Sequence, residues 1–207
     1  MDSAHYFSAT PAGDQRRHRI TVPLAGAERE VFSAAGVFSH DELDRGTRVL
    51  LDTVPAPPPT GRFLDIGSGW GPLALSMALL SPEAEVCAVE VNERARELTV
   101  ENARALGLEQ ISVWAPDELD PEPGFDLIWS NPPIRVGKAV LHEILQRWLP
   151  RLRPGGHAWL VVAKKLGADS LLPWIATMLQ NHGPGEFTAQ RHATVKGFRI
   201  LHIHRAQ

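Results

Sequence analysis

An α/β fold with a doubly wound, mostly parallel sheet is what this sequence predicts, and three observations carry the prediction. From residue 61 onward, short apolar runs alternate with longer helical stretches, an order that lays strands parallel with helices over both faces. The first of these strands, Arg62-Phe63-Leu64-Asp65-Ile66, runs into the tight turn Gly67-Ser68-Gly69-Trp70-Gly71 and then a helix opened by Pro72. A strand, glycine loop and helix in that order form the entrance of a doubly wound sheet, whose ligands sit at the carboxyl ends of the strands. The last two β runs, residues 186–194 and 198–204, have no helix between them and must pair antiparallel around Lys196-Gly197.

The elements follow in order. Residues 17–24 and 28–34 are short β-type runs joined by Gly26-Ala27, a hairpin. Residues 41–54 read as a helix with Ser39 as N-cap and Glu42 three residues on, the capping-box spacing. Residues 55–61, with Pro57-Pro58-Pro59, form a stiff linker. Residues 1–60 are therefore expected as an appendage and residues 61–207 as the main domain. In the latter, strands are expected at 63–66, 86–91, 111–114, 125–130 and 158–163, and helices at 72–80, 92–106, 137–152 and 168–180. Pro72 suits a first helical turn because its missing N–H has no partner there anyway. Gly107 and Pro154-Gly155-Gly156 mark helix ends. Five parallel strands plus the closing hairpin make a seven-stranded sheet.

Bulk properties narrow the function. A chain of 207 residues buries a sizeable core in one domain. The single cysteine, Cys87, excludes a disulfide framework and suits a reducing compartment. No apolar stretch is long enough to span a membrane, and the first residues lack the positive-then-apolar pattern of a leader. A cytoplasmic protein is expected. Net charge is −3, but it is divided unevenly. Residues 1–134 hold 10 Lys+Arg and 21 Asp+Glu, a net of −11, whereas residues 135–207 hold 11 and 3, a net of +8. Such asymmetry is compatible with a basic face near a substrate mouth.

Two motifs carry chemistry. In the first, three glycines at alternate positions allow a backbone that approaches a ligand closely. Glu90, near the end of the next strand, is costly to bury without partners and suits a pair of ribose hydroxyls. The second motif is Asn131-Pro132-Pro133-Ile134, after the strand 125–130. Neither proline donates a hydrogen bond, and a residue before proline is held extended. The Asn131 side-chain oxygen and the Pro132 carbonyl can then accept both hydrogens of a planar –NH2 group. Such geometry suits reaction at a nitrogen whose lone pair is delocalised into an aromatic ring or an amide. His202 and His204 share one face of the last strand, but no further ligands at suitable spacing are evident, so no metal is expected.

The glycine loop, Glu90 and the Asn-Pro-Pro turn, in that order, resemble class I S-adenosylmethionine-dependent methyltransferases, which have a Rossmann-like fold. The stretches His5-Tyr6-Phe7-Ser8, Gly36-Val37-Phe38-Ser39, Leu43-Asp44-Arg45-Gly46-Thr47, Ile134-Arg135-Val136-Gly137-Lys138 and Lys164-Lys165-Leu166-Gly167-Ala168 narrow the resemblance to the small-methyltransferase family. That family includes RsmC-like 16S rRNA guanine-N2 methyltransferases. The resemblance implies a cofactor, S-adenosylmethionine, held by Asp65, Gly67, Ser68, Gly69, Gly71, Glu90, Val91, Asp117 and Asn131, with Asp117 at the adenine amine. It implies Asn131 and Pro132 as catalytic, and Phe38, Ser39, Pro133, Ile134, Arg135, Lys138, Lys164 and Lys165 on the substrate side, the basic residues meeting phosphate. The expected activity is methylation of ribosomal RNA, free or in the small subunit, at the N2 amine of a 16S guanine, by a monomer with no membrane partner. A protein glutamine-N5 methyltransferase and a non-catalytic cofactor- or RNA-binding protein are the alternatives. Two features depart from the family. The longer RsmC proteins carry a second, degenerate domain that this chain is too short to hold. Ile134 stands where many Asn-Pro-Pro enzymes have a base-stacking aromatic.

Overall fold

A computed structural model describes residues 16–120 and 122–207; the His5–Ser8 stretch lies outside them. The elements are β1 (Arg17–Leu24), β2 (Ala27–Ala34), α1 (Arg45–Thr53), β3 (Arg62–Ile66), α2 (Pro72–Leu80), β4 (Glu85–Val89), α3 (Glu93–Ala105), β5 (Ile111–Trp114), β6 (Phe125–Ser130), α4 (Lys138–Trp148), β7 (Leu152–Ala163), α5 (Ala168–His182), β8 (Phe187–Val195) and β9 (Phe198–Arg205). The expected seven-stranded sheet is present, in the order β5-β4-β3-β6-β7-β9-β8. The five strands from β3 to β7 are parallel. β9 runs antiparallel between β7 and β8. The strand order reverses between β3 and β6, and a doubly wound sheet opens its ligand crevice at such a point.

Alternate residues of the central strands feed two cores, as period-two geometry requires. Phe63, Trp129, Trp159 and Val161 pack with α2, α3 and β1–β2. Leu64, Ile66, Ile128, Leu160 and Val162 pack with α4 and α5. The N-terminal hairpin is tied into the first core by one amide: buried Asn102 of α3 accepts from Phe32 N at 2.6 Å and donates to Phe32 O and Trp70 O, both at 3.0 Å.

Several boundaries differ from the expectations, for local reasons. α1 begins at Arg45 rather than residue 41, because Asp44 is its N-cap and accepts from Thr47 N at 3.0 Å. Ser39 has φ +53° and donates to the Glu42 carbonyl instead of capping. The β1–β2 turn falls on Ala25-Gly26, both with positive φ, the conformation a two-residue hairpin demands. α4 stops at Trp148, and Leu149–Arg151 tighten into a 3-10 turn. β7 then starts at Leu152, and Pro154-Gly155-Gly156 belong to the strand. A register shift against β6 accommodates them, and a Cβ at Gly156 would lie 2.8–3.2 Å from three carbonyl oxygens.

One stretch of sheet carries a prediction. On the face of β7 and β9 that bears Trp159, His157 Nδ1 lies 2.9 Å from His202 Nε2, and His202 stacks on Trp159 at 4.0 Å between centroids. Burial, helped by His157, His192 and His204, pushes the His202 imidazole down to about 4. An unfolded chain takes up that proton near about pH 6.5. The stabilising preference for neutral His202 is therefore complete above that pH and is lost as the pH falls toward 4. Measured by thermal melting, the drop in Tm from about pH 7 to about pH 5 should be smaller in His202→Gln than in the unmodified protein. An equal drop in both would remove His202 from the pH dependence.

Candidate active site

The carboxyl ends of β3, β4, β6 and β7 open into one cavity of about 1150 Å³. Pockets for single drug-sized ligands span about 300–1,000 Å³, so this cavity has room for a cofactor and a second molecule. Its floor is the loop after β3. Gly67 N and Ser68 N both donate to the Val89 carbonyl, at 2.9 and 3.2 Å, which clamps the loop over the end of β4. Gly71 (φ +100°) backs onto α3, where a Cβ would meet Thr99 Cγ2 at 2.8 Å, and it stands behind the cavity lining. Gly69 (φ +56°) faces the other way, and a Cβ there would have no atom within 4 Å. Its open side lines the cavity.

Carboxylates hold this loop from below. Asp65, fully buried, accepts from Ala74 N at 3.0 Å with Oδ2, while its Oδ1 has no partner. Burial pushes its carboxyl up to about 8, against the hydrogen bond from Ala74 and with a smaller push from Glu90. Glu90 accepts from Gly69 N with one oxygen and from Asn92 N with the other, each at 2.9 Å. Burial raises its pKa, and those two amides oppose the rise. Buried Ser68 Oγ also lacks a partner. Two buried oxygens without partners and an open glycine face make a cradle for a polar ligand.

Across the cavity stands the turn after β6. The Asn131 side chain donates through Nδ2 to Asp44 Oδ2 at 2.8 Å and Thr47 Oγ1 at 3.0 Å. Its Oδ1 has no partner among the described residues, and the residue lines the cavity. The carbonyl of buried Pro132 accepts from Ile134 N at 2.8 Å, just ahead of the 3-10 turn Ile134–Val136. Its second lone pair remains for an outside donor. Ser130 Oγ donates to the Ile66 carbonyl at 2.8 Å and so locks this turn to the glycine loop.

The structure gathers most of the residues singled out from the sequence. Asp65, Gly67, Ser68, Gly69, Glu90, Val91, Asn131, Pro132, Pro133, Ile134, Arg135, Phe38, Ser39, Lys164 and Lys165 all line the cavity. Asp117 does not; its side chain is 91% exposed and pairs with Arg147 at 2.5 Å. Lys138 is exposed at the start of α4, outside the lining. Phe38 is 41% exposed, and the following carbonyl, of Ser39, accepts from Trp70 Nε1 at 3.2 Å. Sequence reasoning missed Arg45, Lys196 and Phe198, which also line the cavity. The signal for the last two was the hairpin itself. Once β9 lies antiparallel to β7, its first residue must sit beside the carboxyl end of β7, and Phe198 pairs with Ala163.

Comparison with known proteins agrees with this geometry. The family model described as methyltransferase small domain matches residues 28–200. An uncharacterized protein of Bacillus subtilis, YbxB, is 36% identical over 173 residues, covering 82% of this chain and 86% of that protein. The ribosomal RNA small subunit methyltransferase C of Pseudomonas aeruginosa is 34% identical over 193 residues, covering 91% of this chain and 54% of its own. Among solved structures, the T. thermophilus 16S rRNA N2 G1207 methyltransferase (RsmC), in complex with AdoMet and guanosine, superposes with a TM-score of 0.69 at 25% identity. That match covers 92% of this chain and 51% of the other. The chain thus spans about half the length of the rRNA methyltransferases it matches.

Proposed function

We propose that this chain, which belongs to the methyltransferase small domain family, is an S-adenosylmethionine-dependent N-methyltransferase of ribosomal RNA. The acceptor we infer is the N2 amine of a guanine in 16S rRNA. One observation carries the reading: a hydrogen-bond acceptor, Asn131 Oδ1, is left free at the cavity while its own amide hydrogens are engaged elsewhere.

The residues fit the cofactor. The open face of Gly69, the partnerless Ser68 Oγ and the partnerless Asp65 Oδ1 suit its methionine part, and Glu90 with Val91 suits the ribose. S-adenosylmethionine supplies, when bound, a methyl group on a sulfonium sulfur that departs with the bonding pair. This chain then has two tasks. It holds the acceptor nitrogen in line, where positioning can lower the barrier strongly. It also stabilises the positive charge that grows on that nitrogen, through Asn131 Oδ1 and the Pro132 carbonyl. The methylated nitrogen is acidic enough to lose its proton to water. A paired guanine must first swing out of its helix to reach the turn.

Under this reading the protein acts as a cytoplasmic monomer on ribosomal RNA or the small subunit. Among the described residues no helix is long and apolar enough to cross a membrane. Arg135, Lys138, Lys164 and Lys165 are exposed and make no side-chain ion pair among the described residues, and Arg45 and Lys196 stand with them around the opening. Phosphate contact by the first four requires RNA affinity to fall steeply with salt. Replacing each should lower the slope of log K against log salt by up to about 0.9. An unchanged slope after all four replacements would assign RNA binding to another face.

The decisive test maps methylated nucleotides by mass spectrometry in rRNA from cells with and without this chain. Loss of one N2-methylguanine from 16S rRNA is the expected result. An unchanged rRNA, with a methylated glutamine lost from a protein instead, overturns the RNA reading.

A further inference from the structure

The site contains a device that the methyl-transfer reading does not by itself identify. Asn131 is useful only with its oxygen toward the acceptor amine. A free carboxamide flips about its last bond at little cost and would offer its NH2 half the time. A donor facing a nitrogen that gains positive charge opposes the reaction. Something must fix the amide.

The fixing group comes from the N-terminal part of the chain. Asn131 Nδ2 has two hydrogens and meets two acceptors, Asp44 Oδ2 at 2.8 Å and Thr47 Oγ1 at 3.0 Å. A carboxylate oxygen cannot donate, so the flipped amide would set oxygen against oxygen at that distance. Asp44 is itself held. Its Oδ2 also accepts from Thr47 N at 3.0 Å, and its carbonyl accepts from Arg48 N at 2.9 Å as the N-cap of α1. Gly46 leaves the space: a Cβ there would lie 2.9 Å from Asp44 Oδ2 and 3.5 Å from Asn131 Nδ2.

We propose that Asp44, seconded by Thr47, is a positioning residue for methyl transfer: it takes up the Asn131 N–H groups and so holds Asn131 Oδ1 toward the acceptor amine. The proposal rests on the methyl-transfer reading of Asn131, and the helix cap and the orientation of the amide become one structure.

The test separates capping from orienting. Asp44→Ser keeps an N-cap oxygen for Thr47 N, but is too short to reach Asn131. Asp44→Asn keeps a neutral acceptor oxygen at the same reach. In single-turnover methyl transfer with saturating cofactor, Asp44→Ser should slow the chemical step by roughly 10- to 100-fold, with cofactor affinity and Tm held. Asp44→Asn should restore the greater part of that rate. In an Asn131→Ala background, Asp44→Ser should cost nothing further, since it has no amide left to orient. Additive losses in the double variant overturn the proposal, and so does full activity in Asp44→Ser. A second readout needs no methyl acceptor. In 15N NMR, the Asn131 side-chain NH2, assigned by its loss in Asn131→Ala, should exchange slowly in the unmodified protein and fast in Asp44→Ser. Equal exchange in the two also overturns the proposal. If rRNA is not the substrate, the activity arm fails in the unmodified protein, and the NMR arm still decides on Asp44.

Discussion

Asn131→Ala is expected to cut methyl transfer by roughly 10²–10³, the size of losing one transition-state hydrogen bond. Cofactor affinity should stay almost constant, because the glycine loop is held by Val89 and Glu90 rather than by this residue. A radiolabelled-methyl assay on rRNA, with calorimetry of cofactor binding, reads both quantities. Asn131→Asp is the sharper variant. Taken alone, it keeps an acceptor oxygen at equal volume. In this site the new carboxylate would face Asp44 Oδ2, now 2.8 Å from Asn131 Nδ2, and like charges at such range repel strongly. It should therefore recover little of what Asn131→Ala loses. Full transfer by Asn131→Ala would make the Asn-Pro-Pro turn structural only, and the acceptor would not be an exocyclic amine.

Glu90→Ala is expected to weaken S-adenosylmethionine binding by about 1–3 kcal/mol and to lower Tm as well. Two losses combine. In the proposed binding mode the ribose hydroxyls lose an acceptor, and the backbone N–H groups of Gly69 and Asn92 lose theirs. Glu90→Gln should rescue poorly, although it is nearly isosteric, since both carboxylate oxygens accept and one of them would become a donor facing an N–H. Calorimetry and thermal melting on the two variants check this. If Glu90→Gln bound the cofactor as tightly as the unmodified protein, only one of those oxygens would matter.

The parts of this molecule that were legible in sequence are those in which a local rule and the fold agree. The glycine loop, the strand ends at Glu90 and Asn131, and the antiparallel hairpin all follow from periodicity and turn chemistry. What escaped depended on contacts distant in sequence. Asp44 falls inside the first turn of the helix that the capping-box spacing of Ser39 and Glu42 predicts, yet Ser39 sits at φ +53° and bonds the Glu42 carbonyl. The apparent helix terminator Pro154-Gly155-Gly156 is part of a strand, since a bulge against β6 needs a residue without a side chain at 156. Asp117 follows β5 as expected, but Arg147 of α4 draws its carboxylate outward, and no local pattern foretells that partner. Arg45 and Lys196 reach the cavity from opposite ends of the chain and share no motif.

The position of β9 between β7 and β8 has a consequence for the order in which the molecule is made. β8 is synthesised before the strand that joins it to the sheet, so it has no backbone partner in the sheet until β9 arrives and both edges close together. Lys196 and Phe198, at the tip of this pair, form one wall of the cavity. A nascent chain that has completed both the glycine loop and the Asn-Pro-Pro turn still lacks that wall. The cavity is thus closed on this side only when the last strand joins a sheet whose parallel part already stands.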